Sequence, residues 1–259
     1  MSAGAPLVRR AAVEGIGTAA LVAVVVGSGI QATGLTQDVG VQLLANSLAT
    51  VFGLVVLIAL LGPVSGAHFN PVVTLAAYVT GRRSGDGPGL REVAAYVPAQ
   101  VAGAIGGAVL ANAMFAGPVV AFSTHDRWDA HLWLGEVVAT AGLVWLIFGL
   151  ARAGRAHLAP VLVASYIGAA YWFTSSTSFA NPAVTIGRAF TDTFAGIAPA
   201  SVAPFLAAQL LGAALGLALV SACFGRPAPA LGDEAVVPQQ PAAPAPAPTR
   251  PAEESSLTS

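Results

Sequence analysis

The sequence predicts an all-α membrane protein: six transmembrane helices plus two re-entrant half-helices, built as an inverted three-plus-three repeat. Three observations carry this prediction. The 259 residues are 56% hydrophobic and only 9% charged, with a mean hydropathy of +0.75, whereas a soluble domain carries about a quarter charged residues. The few charges cluster in short stretches between long apolar runs, the pattern of a polytopic membrane protein. Two short segments also echo each other, HFNPVVTLAAYV at 68–79 and FANPAVTIGRAF at 179–190.

Crossing the hydrocarbon core takes about 20 apolar residues. Six segments reach or approach that length: about 11–31, 41–62, 93–116, 132–151, 158–175 and 203–224. Arg9 and Arg10 ahead of the first could suggest a signal peptide. The run that follows is longer than a signal core of about 7–15 residues and contains Glu14, so it reads as the first span. Two further apolar stretches, about 70–79 and 181–190, are too short. Ten helical residues cover about 15 Å, half the core. Each begins with Asn-Pro, and Asn is a good N-cap while Pro is favoured at the first helical position. A short, sharply started helix in so apolar a chain predicts a re-entrant half-helix. Its non-helical lead-in survives at membrane depth only when buried in protein or lining a wet cavity.

Orientation follows from arginine, since the chain has no lysine. Six spans put both termini on one side, with Arg9, Arg10, Arg82, Arg83, Arg91, Arg152, Arg155, Arg226 and Arg250, against Arg127 and Arg188 on the other. This positive-inside bias predicts cytoplasmic termini in an integral plasma (inner) membrane protein. A channel-type domain is expected over 1–224. The tail from 225 to 259 is rich in Pro and Ala and has no aromatic residue, a composition expected to stay disordered.

The echo extends along both halves, about 11–116 and 132–224. VEGIGTAALV at 13–22 matches GEVVATAGLV at 135–144, pairing Glu14 with Glu136 and Thr18 with Thr140. AQVAGAIGG at 99–107 matches AQLLGAALG at 208–216, pairing Gln100 with Gln209, Gly103 with Gly212 and Gly107 with Gly216. Each half has an odd number of spans, so the halves are inverted in the membrane. Inverted repeats with interrupted helices point to a transport site at the midplane. Two half-helices entering from opposite faces would aim their N-termini at each other there, each carrying roughly half a positive charge. Each Asn oxygen can cap its own helix, leaving amide N–H groups to donate into the centre. Such a site welcomes a neutral solute with an oxygen lone pair and rejects cations.

These residues resemble the major intrinsic proteins, the aquaporin and aquaglyceroporin channels. SGAHFNPVVTLA at 65–76 is similar to the family's first signature, and NPAVT after TSFA matches the second less fully; the likeness covers roughly 11–224. It implies a passive channel for water and small uncharged solutes, and a homotetramer with one pore per subunit. The pore motifs would be Asn70, Pro71, Val72 and Asn181, Pro182, Ala183. It implies structural roles for Glu14 and Glu136 and pore-facing carbonyls at Gly66, Ala67 and His68.

The sequence also departs from its relatives. Val72 stands in the first motif where Ala is usual, which reads as repacking. Val184 stands where the family usually holds the Arg of the outer constriction. Ungapped offsets from the two Asn place the other filter positions at Thr50, Ala169 and Ser178; a gap near FGL at 52–54 would move the first to Phe52. A filter of Thr50, Ala169, Ser178 and Val184 would be wide, weakly polar and uncharged. It would suit larger neutral solutes such as glycerol, or metalloid hydroxides such as arsenite, with which Arg-lacking bacterial relatives are associated. Arg188 shares a helix face with Val184, so the filter's charge would sit one turn outward, with Asp192 four residues on as its partner. An Arg merely snorkelling to the interface is the bland alternative.

The remaining polar residues suggest no other chemistry. His125, His131 and His157 lie at loop edges, and Cys223 has no partner for a disulfide or metal site. No nucleophile–base pair, phosphate loop or paired catalytic carboxylates occur, so neither an enzyme nor a cofactor is expected. The net charge of −1 points to no nucleic acid; the partners are the lipid bilayer and the permeating solute. The rival class is a proton-coupled secondary transporter using Glu14 and Glu136, since membrane-embedded carboxylates can relay protons. A membrane scaffold is a third class, though it would leave the two Asn-Pro motifs without a purpose.

Overall fold

The computed structural model describes residues 5–84 and 87–225. The tail residues 226–259 lie outside the described residues. Among the described residues all regular structure is helical. The helices are α1 (Leu7–Leu35), α2 (Val39–Ser65), α3 (Pro71–Ser84), α4 (Leu90–Met114), α5 (Ala130–Arg152), α6 (Ala159–Phe173, after a 3₁₀ turn at Ala156–Leu158), α7 (Pro182–Arg188) and α8 (Pro199–Phe224). Six are long and apolar enough to cross a membrane: α1, α2, α4, α5, α6 with its leading turn, and α8. The half-helices differ in length from the sequence expectation. The first runs 14 residues, about 21 Å at 1.5 Å per residue, and the second only seven. Both start at the Pro after the Asn, as the capping argument requires.

The halves pack alike because their glycines correspond. A Cβ on Gly103 would stand 2.1 Å from the Gly15 carbonyl oxygen, and one on Gly107 2.2 Å from that of Ala19. In the second half, Cβ atoms on Gly212 and Gly216 would each come within 2.6 Å of the carbonyls of Val137 and Ala141. These Gly-x-x-x-Gly pairs therefore hold α4 on α1 and α8 on α5 within one chain, backbone against backbone. That closeness brings Gln100 to Glu14 and Gln209 to Glu136.

At one end of the bundle an ion pair of 3.0 Å joins Arg10 at the start of α1 to Glu92 at the start of α4. At the opposite end the α4–α5 connection is laced to the chain between α7 and α8. Ser123 N–H donates to the Ala189 carbonyl and Ala198 N–H to that of His125. This lacing closes the bundle above α7.

Candidate functional site: a cavity in the bundle

The site begins with two buried carboxylates. Glu14 and Glu136 are fully buried, so each needs compensating donors. Glu14 Oε1 accepts from Ser65 Oγ (2.6 Å) and His68 N (3.0 Å), and Oε2 from Phe69 N (2.6 Å) and Gln100 Nε2 (2.8 Å). Glu136 Oε1 accepts from Phe179 N (2.8 Å), and Oε2 from Ala180 N (2.9 Å) and Gln209 Nε2 (2.6 Å). The same amide of each Gln also reaches the motif threonine: Gln100 to Thr74 and Gln209 to Thr185. The two clusters correspond donor for donor, except that Ser65 gives Glu14 one more.

Their effect is on the lead-in loops. Peptide N–H and C=O groups point in opposite directions across a trans bond. Turning the N–H groups of His68 and Phe69 onto Glu14 therefore turns the carbonyls of Ala67 and His68 away from it. In the second half the carbonyls of Ser178 and Phe179 turn away from Glu136 likewise. All four residues line the central cavity. The reversals require left-handed backbone at Ala67, Phe69, Thr177, Ser178 and Ala180, with φ between 47° and 60°. Non-glycine residues accept that conformation at about 1–3 kcal/mol each, and only where surroundings hold them. Gly66 is not among the cavity-lining residues, contrary to the sequence expectation; it is the left-handed C-cap of α2, with φ of 92°.

The Asn-Pro motifs meet at the centre. Asn181 Oδ1 caps α7 by accepting from Ala183 N and Val184 N, and Asn70 Oδ1 accepts from Val72 N. Each amide nitrogen then crosses to the other half. Asn70 Nδ2 donates to the Ala180 carbonyl and Asn181 Nδ2 to the Phe69 carbonyl, both at 2.8 Å. An Asn amide has two donors, so one N–H of each is spent on this cross-strap. The other remains, and both Asn line the cavity. Pro71 and Pro182 start the two helices. Val72 and Ala183 are fully buried behind the cavity wall and do not line it.

The cavity has a volume of about 70 Å³, room for water. One wall is the polar rail of loop carbonyls and Asn amides. The other is apolar, with Leu54, Ile58, Leu143, Ile147, Val163 and Ile167. Thr50 lines it and its hydroxyl pairs with that of Tyr171 at 3.2 Å. Ser178, Val184 and Arg188 line it too, and the Ser178 hydroxyl has no partner. Phe52 is 66% exposed and faces outward.

Three expectations are corrected here. Ala169 lies exposed on the outer face of α6, while Tyr171, two residues on, lines the cavity. Two residues turn a helix by about 200°, so a two-residue misplacement moves a side chain from pore to lipid. Asp192 does not pair with Arg188. α7 ends at Arg188, so no helical i,i+4 relation exists, and Asp192 instead accepts from the N–H and hydroxyl of Thr124. Arg188 is not in a wide vestibule. It is 3% exposed, its Nε donates to the Ala195 carbonyl, and its guanidinium lies 3.4 Å from the centroid of the Phe179 ring. Sequence reasoning missed Tyr171 and Phe179 altogether. Val163, Ile167 and Tyr171 recur every four residues on one face of α6 and all line the cavity; that spacing was the available signal for Tyr171.

The family description "Major intrinsic protein" matches residues 2–180. The chain belongs to the major intrinsic protein family. This major intrinsic protein is 51% identical over 214 residues to the aquaglyceroporin AqpS of Rhizobium meliloti, covering 83% of this chain and 89% of that one. It is 33% identical over 225 residues to aquaporin Z of Bradyrhizobium diazoefficiens, covering 80% and 90%. Its fold is shared with the X-ray structure of the aquaglyceroporin from Plasmodium falciparum, at a TM-score of 0.61 and 20% identity, covering 83% of this chain and 95% of that one. It is therefore a passive membrane channel for water and small solutes, not an enzyme. The proton-coupled alternative is not favoured: each embedded carboxylate is committed to holding a loop.

Proposed function

We propose that this channel conducts small uncharged hydroxylated solutes of the glycerol class together with water, and that uncharged metalloid hydroxides pass by the same contacts. The observation that carries the reading is the ring beside Val184. Thr50, Tyr171 and Ser178 line the cavity, with the hydroxyls of Thr50 and Tyr171 paired at 3.2 Å, and apolar Val184 occupies the third position after Asn181. A solute with oxygens along one edge and carbon along the other matches a polar rail facing an apolar wall. At the midplane a solute oxygen accepts the free N–H of Asn70 and of Asn181. A water accepting both has its lone pairs occupied, so it takes no proton from a neighbour. The positive ends of α3 and α7 oppose cations at the same point.

Glu14 and Glu136 serve as structural clamps in this reading, and Ala67 and His68 provide rail carbonyls. Arg188 supplies the positive charge that Val184 lacks. The excess of arginine on the side of the termini supports cytoplasmic ends. The exposed apolar outer faces of the helices support burial in lipid and in a homotetramer. Stopped-flow light scattering on proteoliposomes tests the solute assignment. Glycerol and arsenous acid should each enter well above the rate of empty liposomes. Water flux without either would refute it.

A further inference from the structure

Two arginines converge on one ring at the end of the cavity beyond Val184. The guanidinium carbons of Arg188 and Arg127 lie 3.4 and 5.0 Å from the centroid of Phe179. They are 3% and 8% exposed, so neither snorkels to solvent. Each is fastened by Nε to adjacent carbonyls of one turn, Arg188 to Ala195 and Arg127 to Gly196. That turn is tightly packed: a Cβ on Gly196 would meet Ser123 Oγ at 2.3 Å and the Thr191 carbonyl at 2.5 Å. Phe179 is braced by Phe205, edge to face at 5.2 Å. The backbone N–H of Arg127 is held by Ser201 Oγ at 2.9 Å.

Neither arginine has an ion-pair partner; among the described residues the ion pair is that of Arg10 with Glu92. The neighbouring carboxylates are engaged elsewhere. Asp126 accepts from Ser201, Asp192 from Thr124, and Glu136 from the loop amides. A buried unpaired charge is costly, and a guanidinium over a desolvated ring recovers part of that cost. Burial pulls the Arg127 guanidinium down to about 10, which leaves it charged at neutral pH. Arg188 lines the cavity, whereas Arg127 does not.

We propose that Arg127, carried by the α4–α5 connection, is a specificity-determining residue. It shares the Phe179 platform with Arg188, fixes that guanidinium by sharing its support, and adds a second positive charge that turns small cations away from the pore. The barrier to cations is then set from a loop outside the lining, which rests on the channel reading above. The test uses full-length protein in proteoliposomes, comparing R127Q, R127K and R188Q with wild type for water flux and for uptake of methylammonium as the cation probe. In R127Q the ratio of methylammonium to water flux should rise on the order of tenfold, the scale for removing one nearby charge. R127K keeps the charge but loses the guanidinium over Phe179 and the Nε bond to Gly196, so its ratio should fall between wild type and R127Q. R188Q should raise the ratio at least as far as R127Q. A wild-type ratio in R127Q, or equal leaks in R127Q and R127K, would overturn the inference. Absence of water flux in the wild-type protein would remove instead the channel reading on which it rests.

Discussion

Replacing Glu136 by Ala tests whether the buried carboxylates hold the pore open. In the second half this carboxylate is the acceptor for the N–H groups of Phe179 and Ala180, while Gln209 keeps its bond to Thr185. The substitution therefore orphans two buried backbone donors at about 1–3 kcal/mol each, or about 2–6 kcal/mol together. That is a large part of a typical stability of about 5–15 kcal/mol. The damage should be focused, because Thr177, Ser178 and Ala180 are left-handed and relax once the clamp is gone. The carbonyls of Ser178 and Phe179 would then leave the rail. Glu136→Ala should cut water permeability per reconstituted protein by tenfold or more and lower the detergent melting temperature. Glu136→Gln, which keeps one acceptor oxygen, should fall between the two. Wild-type flux and melting in Glu136→Ala would refute the clamp. Normal stability with flux that loses a proton dependence in Glu136→Gln would favour a relay.

Val184→Arg places a guanidinium beside Tyr171 and should reduce glycerol flux at least tenfold while retaining measurable water flux. Ala169→Leu on the outer face of α6 should leave both fluxes unchanged, whereas Tyr171→Ala should raise glycerol flux relative to water; the reverse pattern would restore Ala169 to the pore. Gly103→Val drives a branched side chain into the Gly15 carbonyl, 2.1 Å from its Cβ, and should destabilise the fold by several kcal/mol, read as loss of monodisperse protein in size-exclusion chromatography.

Much of the fold was legible in the sequence because each signal has a local cause. Apolar length marks spans, Asn-Pro marks a helix start, and Glu, Gln and Gly repeating in order mark two like halves. The site was legible where it hangs on those starts: Ser178 and Val184 lie three residues either side of Asn181 and both line the cavity. It was not legible where distance along the chain had to stand for rotation about an axis. The turn between α6 and the second motif shifted the pore position from Ala169 to Tyr171. The partner of Arg188 was misjudged because α7 stops at that residue, so Asp192 follows a different path. Arg127 entered the sequence reading only as a charge on the side opposite the termini, because nothing local shows that its loop folds back onto Phe179.

The cross-strap has a consequence for how the protein is made. The amide of Asn70 finds its carbonyl 110 residues further along the chain, and that of Asn181 lies 112 residues beyond its own. When the first half leaves the ribosome and enters the bilayer, its half-helix has a cap but no tether. The second lead-in loop must arrive before either strap can close. The centre of the pore thus cannot close until the second lead-in loop has been made, and a chain truncated before Ala180 can insert its early spans without forming a closed conduit.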